Sequence, residues 1–291
     1  MANLVLERIP DVHHFETRAR AFLLQREAEN NLVLGLIAGL KGGRTFGPES
    51  PYFAVVRAGE TVLAATMRTP PFNLLLTAGT DPDTIPLIVE DLLLAMPETP
   101  GLSGPKELAA RAADVWSRRT GASARVTSAH RIYQLTTVIP PRSSSGEPRI
   151  ARDSDRPVVV DWFQAFVTEA LPTGDASREH AEAAATHWMG ASALWIWDDG
   201  GPVAMAGAGG PTPNGIRVSA VYTPPDARRR GYASSLVAAL SQAQLDAGRR
   251  FCFLYTDLAN PTSNKIYQAI GYEAVADVDE YRFVGSAEAD T

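Results

Sequence analysis

The spacing of apolar and polar residues in the last third of the chain predicts strands and helices in alternation. Residues 218–222 form a short apolar run, which ends before Pro224 because proline has no amide proton to give to a sheet. Between residues 232 and 247 apolar side chains recur every three or four positions, as is typical of an amphipathic helix. Gly248 suits the position just after the end of that helix.

A second strand and a second helix follow. Residues 251–255 are apolar and rich in aromatic side chains, which predicts a strand. Asn260 is a favoured N-cap residue and Gly271 suits a helix end, so a helix is predicted between them. Asn264 and Tyr267 are three positions apart on this helix and therefore share one face.

The loop between the first strand and its helix carries arginines at positions 228–230 and then Gly231. Gly231 has no Cβ, so the backbone can approach a ligand closely there. The first N–H groups of a helix lack internal partners and lie at the positive end of its dipole, so they attract phosphate, and guanidinium groups add donors. The pattern Arg-x-x-Gly-x-Ala is weak evidence alone, since it also fits a solvated helix start. The sequence contains neither a G-x-G-x-x-G fingerprint nor a G-x-x-x-x-G-K-[ST] loop here.

Residues 203–283 resemble the GNAT superfamily of N-acetyltransferases. Arg228, Gly231 and Ala233 match the motif with which that family binds the pyrophosphate of acetyl-CoA. Asn260 and Tyr267 match the motif that follows, and the order of strands and helices agrees. The resemblance implies an α/β fold with a mixed sheet, and acetyl-CoA as the acyl donor.

The resemblance also implies a role for each matched residue. The main chain of three residues would pair with the pantetheine arm like an added strand: Val221, Tyr222 and Thr223. Asn260 and Asn264 would lie along the pantetheine, and Tyr267 would stand near the sulfur as the general acid. The pyrophosphate would be bound by the loop and the first helical turn: Arg228, Arg229, Arg230, Gly231, Tyr232, Ala233 and Ser234.

Transfer of an acetyl group to an amine needs a proton for the departing thiolate. A tyrosine of ordinary pKa, about 10, is protonated at neutral pH and can supply it, so direct transfer in a ternary complex is the simplest mechanism. Tyr267 alone also fits an ordinary half-buried packing residue, and Cys252 fits the core. Residues 217–222 contain no carboxylate, so the general base stays open between Asp257, Glu169, a water chain and an amine that arrives neutral. Both carboxylates also fit surface or capping positions.

Length and composition bound the class of protein. The 291 residues favour two domains, and a net charge of -6 argues against a nucleic-acid-binding protein. The longest apolar stretch, residues 32–40, is far shorter than the ~20 residues that span a bilayer, and no signal peptide is visible. One cysteine fits a reducing compartment, so a cytoplasmic protein is expected. No metal site is predicted, because His180 and Glu182 lack the Pro-Cys-x-x-Cys partner of zinc deaminases.

The chain contains two similar segments, residues 53–66 and 194–207, at a constant offset (203 − 62 = 141). Both are predicted hairpins with glycine at the turn, and chance similarity of two hairpins is the alternative. Residues 140–148, rich in proline and serine, predict a linker. The expected organisation is a degenerate GNAT-like domain at 1–139, the linker, a catalytic domain at 149–285 and a tail at 286–291. The first domain is predicted to be degenerate because residues 80–86 carry two carboxylates and two prolines in place of the arginines.

The predicted function is acetyl-CoA-dependent N-acetylation of a primary amine on a small molecule. The alternative is a non-catalytic regulatory protein that binds acetyl-CoA or CoA; the missing strand carboxylate favours it, and Tyr267 argues against it. The expected partners are acetyl-CoA and the amine, with no nucleic acid and no membrane. The sequence does not distinguish among amine acceptors or oligomeric states. Trp195 and Trp197 share a strand face and fit either an acceptor pocket or core packing.

Overall fold

A computed structural model describes residues 3–142, 144–170 and 175–284. These residues form two compact units. Unit 1 contains the described residues up to 132, residues 255–260 and the described residues from 274 onward. Unit 2 contains the described residues of 133–254 and 261–273. The predicted tail, 286–291, and Ser143 of the predicted linker lie outside the described residues.

The same order of strands and helices occurs twice along the described chain. The elements of the first half are β1 (Leu4–Arg8), α1 (Val12–Leu24), α2 (Asn31–Lys41), β2 (Tyr52–Ala58), β3 (Thr61–Arg68), β4 (Leu74–Leu76), α3 (Ile85–Ala95), β5 (Gly101–Pro105), α4 (Lys106–Thr120) and β6 (Ser123–Leu135). Those of the second half are β7 (Glu147–Ile150), α5 (Arg156–Ala170), α6 (Arg178–Gly190), β8 (Leu194–Asp198), β9 (Pro202–Gly209), β10 (Gly215–Tyr222), α7 (Tyr232–Asp246), β11 (Phe251–Asp257), α8 (Pro261–Ala269) and β12 (Glu273–Val284).

Unit 1 is a mixed sheet with helices on both faces. Strands β1 to β4 pair antiparallel in sequence, β4 pairs with β5 in parallel, and β5 pairs with β12 antiparallel. Successive strand residues point to opposite faces. Phe53 therefore packs with Phe15 of α1, whereas Ala54 packs with Ile88 of α3 and Trp116 of α4.

Unit 2 has the same layers. Strand β10 pairs with β11 in parallel, and antiparallel pairs join β10 to β9, β9 to β8 and β8 to β7. Helices α5 and α6 cover one face, where Val159 and Ala185 are buried. Helices α7 and α8 contribute Leu236 and Tyr267 to the core on the other face. A mixed sheet with helices on both faces confirms the predicted α/β class.

The structure differs in two ways from the predicted division of the chain into two domains at a single linker. Strand β7 begins inside the predicted linker, because Glu147 and Pro148 pair with Asp198 and Trp197 of β8. Strand β12 pairs with β5, so nearly all of it belongs to unit 1, and the compact units do not coincide with 1–139 and 149–285. None of the helices in the described ranges is long and apolar enough to cross a bilayer.

Candidate functional site

Strands β10 and β11 pair only at their beginnings. Their register runs from Gly215 opposite Phe251 to Arg217 opposite Phe253, whereas β10 continues to Tyr222. Within the described register, residues 218–222 therefore have no β11 partner along that edge of β10. An extended ligand can form main-chain hydrogen bonds with such an edge. Two of the three residues predicted to pair with pantetheine, Val221 and Tyr222, lie in this stretch, and Thr223 follows it.

A β-bulge changes the direction of the side chains along β10. Ala220 has φ 53°, and the register with β9 shifts between Ser219 and Tyr222. Before the bulge, Ile216 and Val218 pack in the core beneath α7. After it, Tyr222 packs with α5 and α6 instead. An unbroken alternation would place Tyr222 on the same face as Val218, so the bulge decides what this side chain contacts.

Arg228, the first residue of the phosphate motif, is held by groups of unit 2. Its Nε donates to the carbonyl oxygen of Thr223 at 2.9 Å, and its Nη2 donates to Oε2 of Glu169 at 2.6 Å. The Tyr222 hydroxyl donates to the other oxygen of Glu169 at 3.2 Å. Burial, followed by the charge of Glu169, raises the pKa of Tyr222. Arg228 therefore fixes the loop, and the Glu169 carboxylate has two donors already.

The rest of the loop presents free hydrogen-bond donors. Arg229 has φ 66° and Gly231 has φ 84°, conformations in which successive N–H groups can point toward one concavity. Among the described residues, no protein acceptor receives a hydrogen bond from the amides of residues 229–234. Three of these amides form the first turn of α7: those of Tyr232, Ala233 and Ser234. Arg229 and Arg230 are exposed, and neither forms a salt bridge in the described part of the chain. Hydrogen bonds from Ser145 and Tyr232 lower the pKa of Asp199, and the charge of Arg230 contributes to this shift.

The corresponding loop of unit 1 uses its donors internally. The amide of Asp81 donates to the Leu63 carbonyl at 2.8 Å, and that of Thr84 donates to the Asp81 carbonyl at 3.0 Å. The amide of Asp83 donates to the Asp81 carboxylate at 2.9 Å, while the Asp83 carboxylate pairs with Arg111. Phosphate binding to this loop is therefore unfavourable, because these amides already donate to protein acceptors and the two carboxylates repel an anion.

Tyr267 is buried on the inner face of α8, with 8% of its surface exposed. Its ring lies edge-on to Tyr272, with centroids 6.0 Å apart. Burial raises the pKa of Tyr267 to about 12, so its hydroxyl stays protonated at neutral pH. Within the described residues this hydroxyl makes no hydrogen bond, whereas that of Tyr272 is 2.8 Å from the hydroxyl of Ser241. Tyr267 thus has a proton that no protein acceptor uses.

The two predicted asparagines have protein contacts of their own. Oδ1 of Asn264 accepts a hydrogen bond from the hydroxyl of Tyr133 at 3.0 Å, and Tyr133 is fully buried. These two residues are 131 positions apart, so no local pattern connects them. Asn260 belongs to unit 1, and its amide donates to the Asp257 carbonyl at 3.0 Å. The Asp257 carboxylate accepts from the amide of Ala259 at 2.7 Å, which is a capping role.

Cys252 and two tryptophans belong to the core of unit 2 or pack against it. Cys252 is fully buried, and burial raises the pKa of its thiol to about 12, so it is not a thiolate nucleophile at neutral pH. Trp197 is buried, and its indole nitrogen donates to the Ser145 carbonyl at 2.7 Å. Trp195 is half-buried against the same core. Both tryptophans therefore serve packing.

Comparison with known proteins agrees with this geometry. Residues 201–284 match the family model described as FR47-like protein. The structure is similar to a GCN5-related N-acetyltransferase from Sphaerobacter thermophilus, with a TM-score of 0.62 and 14% sequence identity, covering 97% of this chain and 96% of that one. The chain has the GNAT fold.

Other structures with the GNAT fold match the chain over almost its whole length. An acetyltransferase of the GNAT family from Colwellia psychrerythraea has a TM-score of 0.57 and 12% identity, covering 97% of this chain and 100% of that one. A tandem GNAT protein from the clavulanic acid biosynthesis pathway has a TM-score of 0.55 and 13% identity, covering 98% and 100%. No curated protein matches the chain in sequence. The GNAT resemblance predicted from residues 203–283 is confirmed.

Proposed function

We propose that the protein is an acetyl-CoA-dependent N-acetyltransferase that acts on the primary amine of a small molecule. The observation that carries the proposal is the loop before α7. Its amides at 229–234 have no protein acceptor in the described residues, and the side chains of Arg229 and Arg230 beside them are exposed. Free amides at a helix N-terminus with two guanidinium groups suit a pyrophosphate.

The residues of unit 2 fit acetyl-CoA along its length. The loop and first turn of α7 suit the pyrophosphate. The open edge of β10 at Val221, Tyr222 and Thr223 suits the amides of the pantetheine arm, because both sides offer main-chain donors and acceptors. Arg228 acts by holding the loop against Glu169 and Thr223. We keep Asn264 as a proposed pantetheine ligand on the strength of the motif, oriented by Tyr133. Asn260 belongs to unit 1 and stays a prediction from the motif alone.

Tyr267 is the proposed general acid. Bound acetyl-CoA supplies the acetyl group as a thioester, and the sulfur needs a proton when the group is transferred. Tyr267 remains protonated because burial raises its pKa to about 12, and its hydroxyl is committed to no other group among the described residues. The unused proton favours a catalyst over a protein that only binds acetyl-CoA.

We propose that neither of the carboxylates named from the sequence, Glu169 and Asp257, is the general base. Glu169 accepts hydrogen bonds from Arg228 and Tyr222, and Asp257 caps the turn at Ala259. We therefore propose that the amine reaches the site neutral or loses its proton to water, followed by direct transfer in a ternary complex. A single cysteine, buried as a neutral thiol, suits a reducing compartment, and we propose a cytoplasmic location.

Calorimetric titration with acetyl-CoA tests the proposal. Saturable binding at one site per chain is expected, and the double variant Arg229→Ala/Arg230→Ala should weaken it at least tenfold by removing two charged donors. A matched control, Arg249→Ala/Arg250→Ala, removes two arginines beyond the opposite end of α7 and should bind like the wild type. Equal losses in both variants would indicate a nonspecific charge effect, and no binding by the wild type would refute the proposed function.

A further inference from the structure

The end of the predicted linker lies against the proposed pyrophosphate loop. We call residues 144–146 the strap. The hydroxyl oxygens of Ser144 and of Ser235, in the first turns of α7, are 2.8 Å apart. A Cβ added to Gly231 would lie 3.8 Å from the Cβ of Ser144. Ser144 therefore flanks both the last residue of the loop and the beginning of the helix.

The strap is held in place by the β8–β9 hairpin and by α7. The indole of Trp197 donates to the Ser145 carbonyl at 2.7 Å, and the Ser145 hydroxyl donates to Asp199 at 2.6 Å. The hydroxyl of Tyr232 donates to the same carboxylate. Gly146 has φ 88°, and a Cβ there would lie 2.9 Å from the Cβ of Asp199, too close for another residue. The position of Ser144 is thus set without a ligand, which reduces the ordering cost of binding.

The hydroxyl pair has a proton to spare. The Ser144 hydroxyl donates to that of Ser235, so this bond uses the proton of Ser144 and leaves that of Ser235. Hydroxyl protons rotate, so the bond can reverse when a ligand binds: Ser235 then donates to Ser144, and Ser144 donates to the ligand. Ser235 is buried, whereas Ser144 is only partly buried. After that reversal the Ser144 proton is available beside the free amides of the loop and the exposed guanidinium groups of Arg229 and Arg230, which attract an anion.

We propose that Ser144 is an additional phosphate-binding residue, contributed by the linker to the pyrophosphate site of the acyl donor. This inference rests on the proposed function, since it assumes that the loop before α7 binds acetyl-CoA. The linker would then contribute to the affinity for acetyl-CoA as well as joining the two halves of the chain. The Arg-x-x-Gly-x-Ala motif does not include this residue, which is 84 positions before Arg228 (228 − 144 = 84).

Three variants of the full chain test the inference by calorimetric titration with acetyl-CoA. Ser144→Ala removes the hydroxyl and should weaken binding about tenfold, the effect of one hydrogen bond to a charged group. Ser144→Thr keeps the hydroxyl and should bind within threefold of the wild type. Ser144→Asp places a carboxylate beside the phosphate and should weaken binding more than Ser144→Ala. Urea midpoints of the variants provide the control for folding.

The outcomes separate this inference from the proposed function. A loss in Ser144→Ala with recovery in Ser144→Thr supports the contact, because a role in shape alone would not be restored by the hydroxyl. Binding by Ser144→Ala within threefold of the wild type overturns it. Equal losses in the alanine and threonine variants also overturn it, since the hydroxyl is then not the cause. No binding by the wild type refutes the proposed function instead.

Discussion

Tyr267→Phe is expected to remove most of the turnover while leaving the stability of the fold unchanged. The side chain is buried, yet its hydroxyl makes no hydrogen bond within the described residues. Tyr272, in edge-on contact with it, is the matched control because its hydroxyl pairs with Ser241 at 2.8 Å. The two Tyr→Phe changes delete the same atom from neighbouring positions in one core, so their comparison isolates the role of the hydroxyl.

The expected changes in stability follow from the hydrogen bonds that each hydroxyl makes. The Tyr267 hydroxyl makes no hydrogen bond within the described residues, so deleting it breaks none. The free energy of unfolding of Tyr267→Phe should therefore stay within about 0.5 kcal/mol of the wild-type value. Tyr272→Phe leaves Ser241 without this partner and should lose about 1–2 kcal/mol. Loss of a general acid reduces turnover ~10²–10⁴-fold, which is roughly 2.7–5.4 kcal/mol of activation free energy, and only Tyr267→Phe should show it.

Two measurements give the comparison. Urea unfolding followed by tryptophan fluorescence yields the free energy of unfolding, provided that the m-value is unchanged. Turnover is followed as release of free thiol from acetyl-CoA with the most reactive amine of a screened panel. Titration of both variants with acetyl-CoA shows whether they still bind it. Unchanged binding is expected, because neither hydroxyl is proposed to contribute to the affinity for acetyl-CoA.

Two results would refute the reasoning. If Tyr267→Phe loses 1 kcal/mol or more of stability, as expected of Tyr272→Phe (about 1–2 kcal/mol), its hydroxyl has a structural partner. If Tyr267→Phe keeps full turnover, Tyr267 is a packing residue and the protonation step belongs to another group.

Three further predictions concern the loop, the strap and pH. Arg228→Ala should weaken acetyl-CoA binding less than Arg229→Ala, because Arg228 is tied to Glu169; the reverse order in titrations would make Arg228 a direct phosphate ligand. Gly146→Ala should lower the free energy of unfolding by roughly 2 kcal/mol or more, from positive φ and a Cβ clash, and an unchanged urea midpoint would contradict the strap geometry. The pKa of Tyr267 is raised to about 12 from the ~10 of an unfolded tyrosine, so its contribution to stability is complete below pH ~10 and lost as pH rises toward 12. Turnover should show no basic limb from Tyr267 between pH ~8 and ~10. Such a limb, if absent from Tyr267→Phe, would contradict the raised pKa of Tyr267.

The sequence alone determined the features that depend on residues close together along the chain. The apolar spacing predicted a helix over 232–247, and α7 runs Tyr232–Asp246. Gly231 ends the loop before α7 with φ 84°, a conformation that glycine adopts without strain. Cys252 was predicted in the core because its strand is apolar, and it is fully buried. Periodicity, caps and turn residues are local, so a single sequence can report them.

Only the tertiary structure decided which side chains meet at the site. The bulge at Ala220 sends Tyr222 toward α5, although simple alternation predicts the opposite face. Arg228 is bound by Glu169, 59 positions earlier. The last two residues of the predicted linker, Glu147 and Pro148, pair with β8 as part of β7. Strand β12 pairs with β5, so the compact units differ from the predicted domains. Each of these contacts joins residues far apart in the chain, where the energy depends on packing and register that no local pattern specifies.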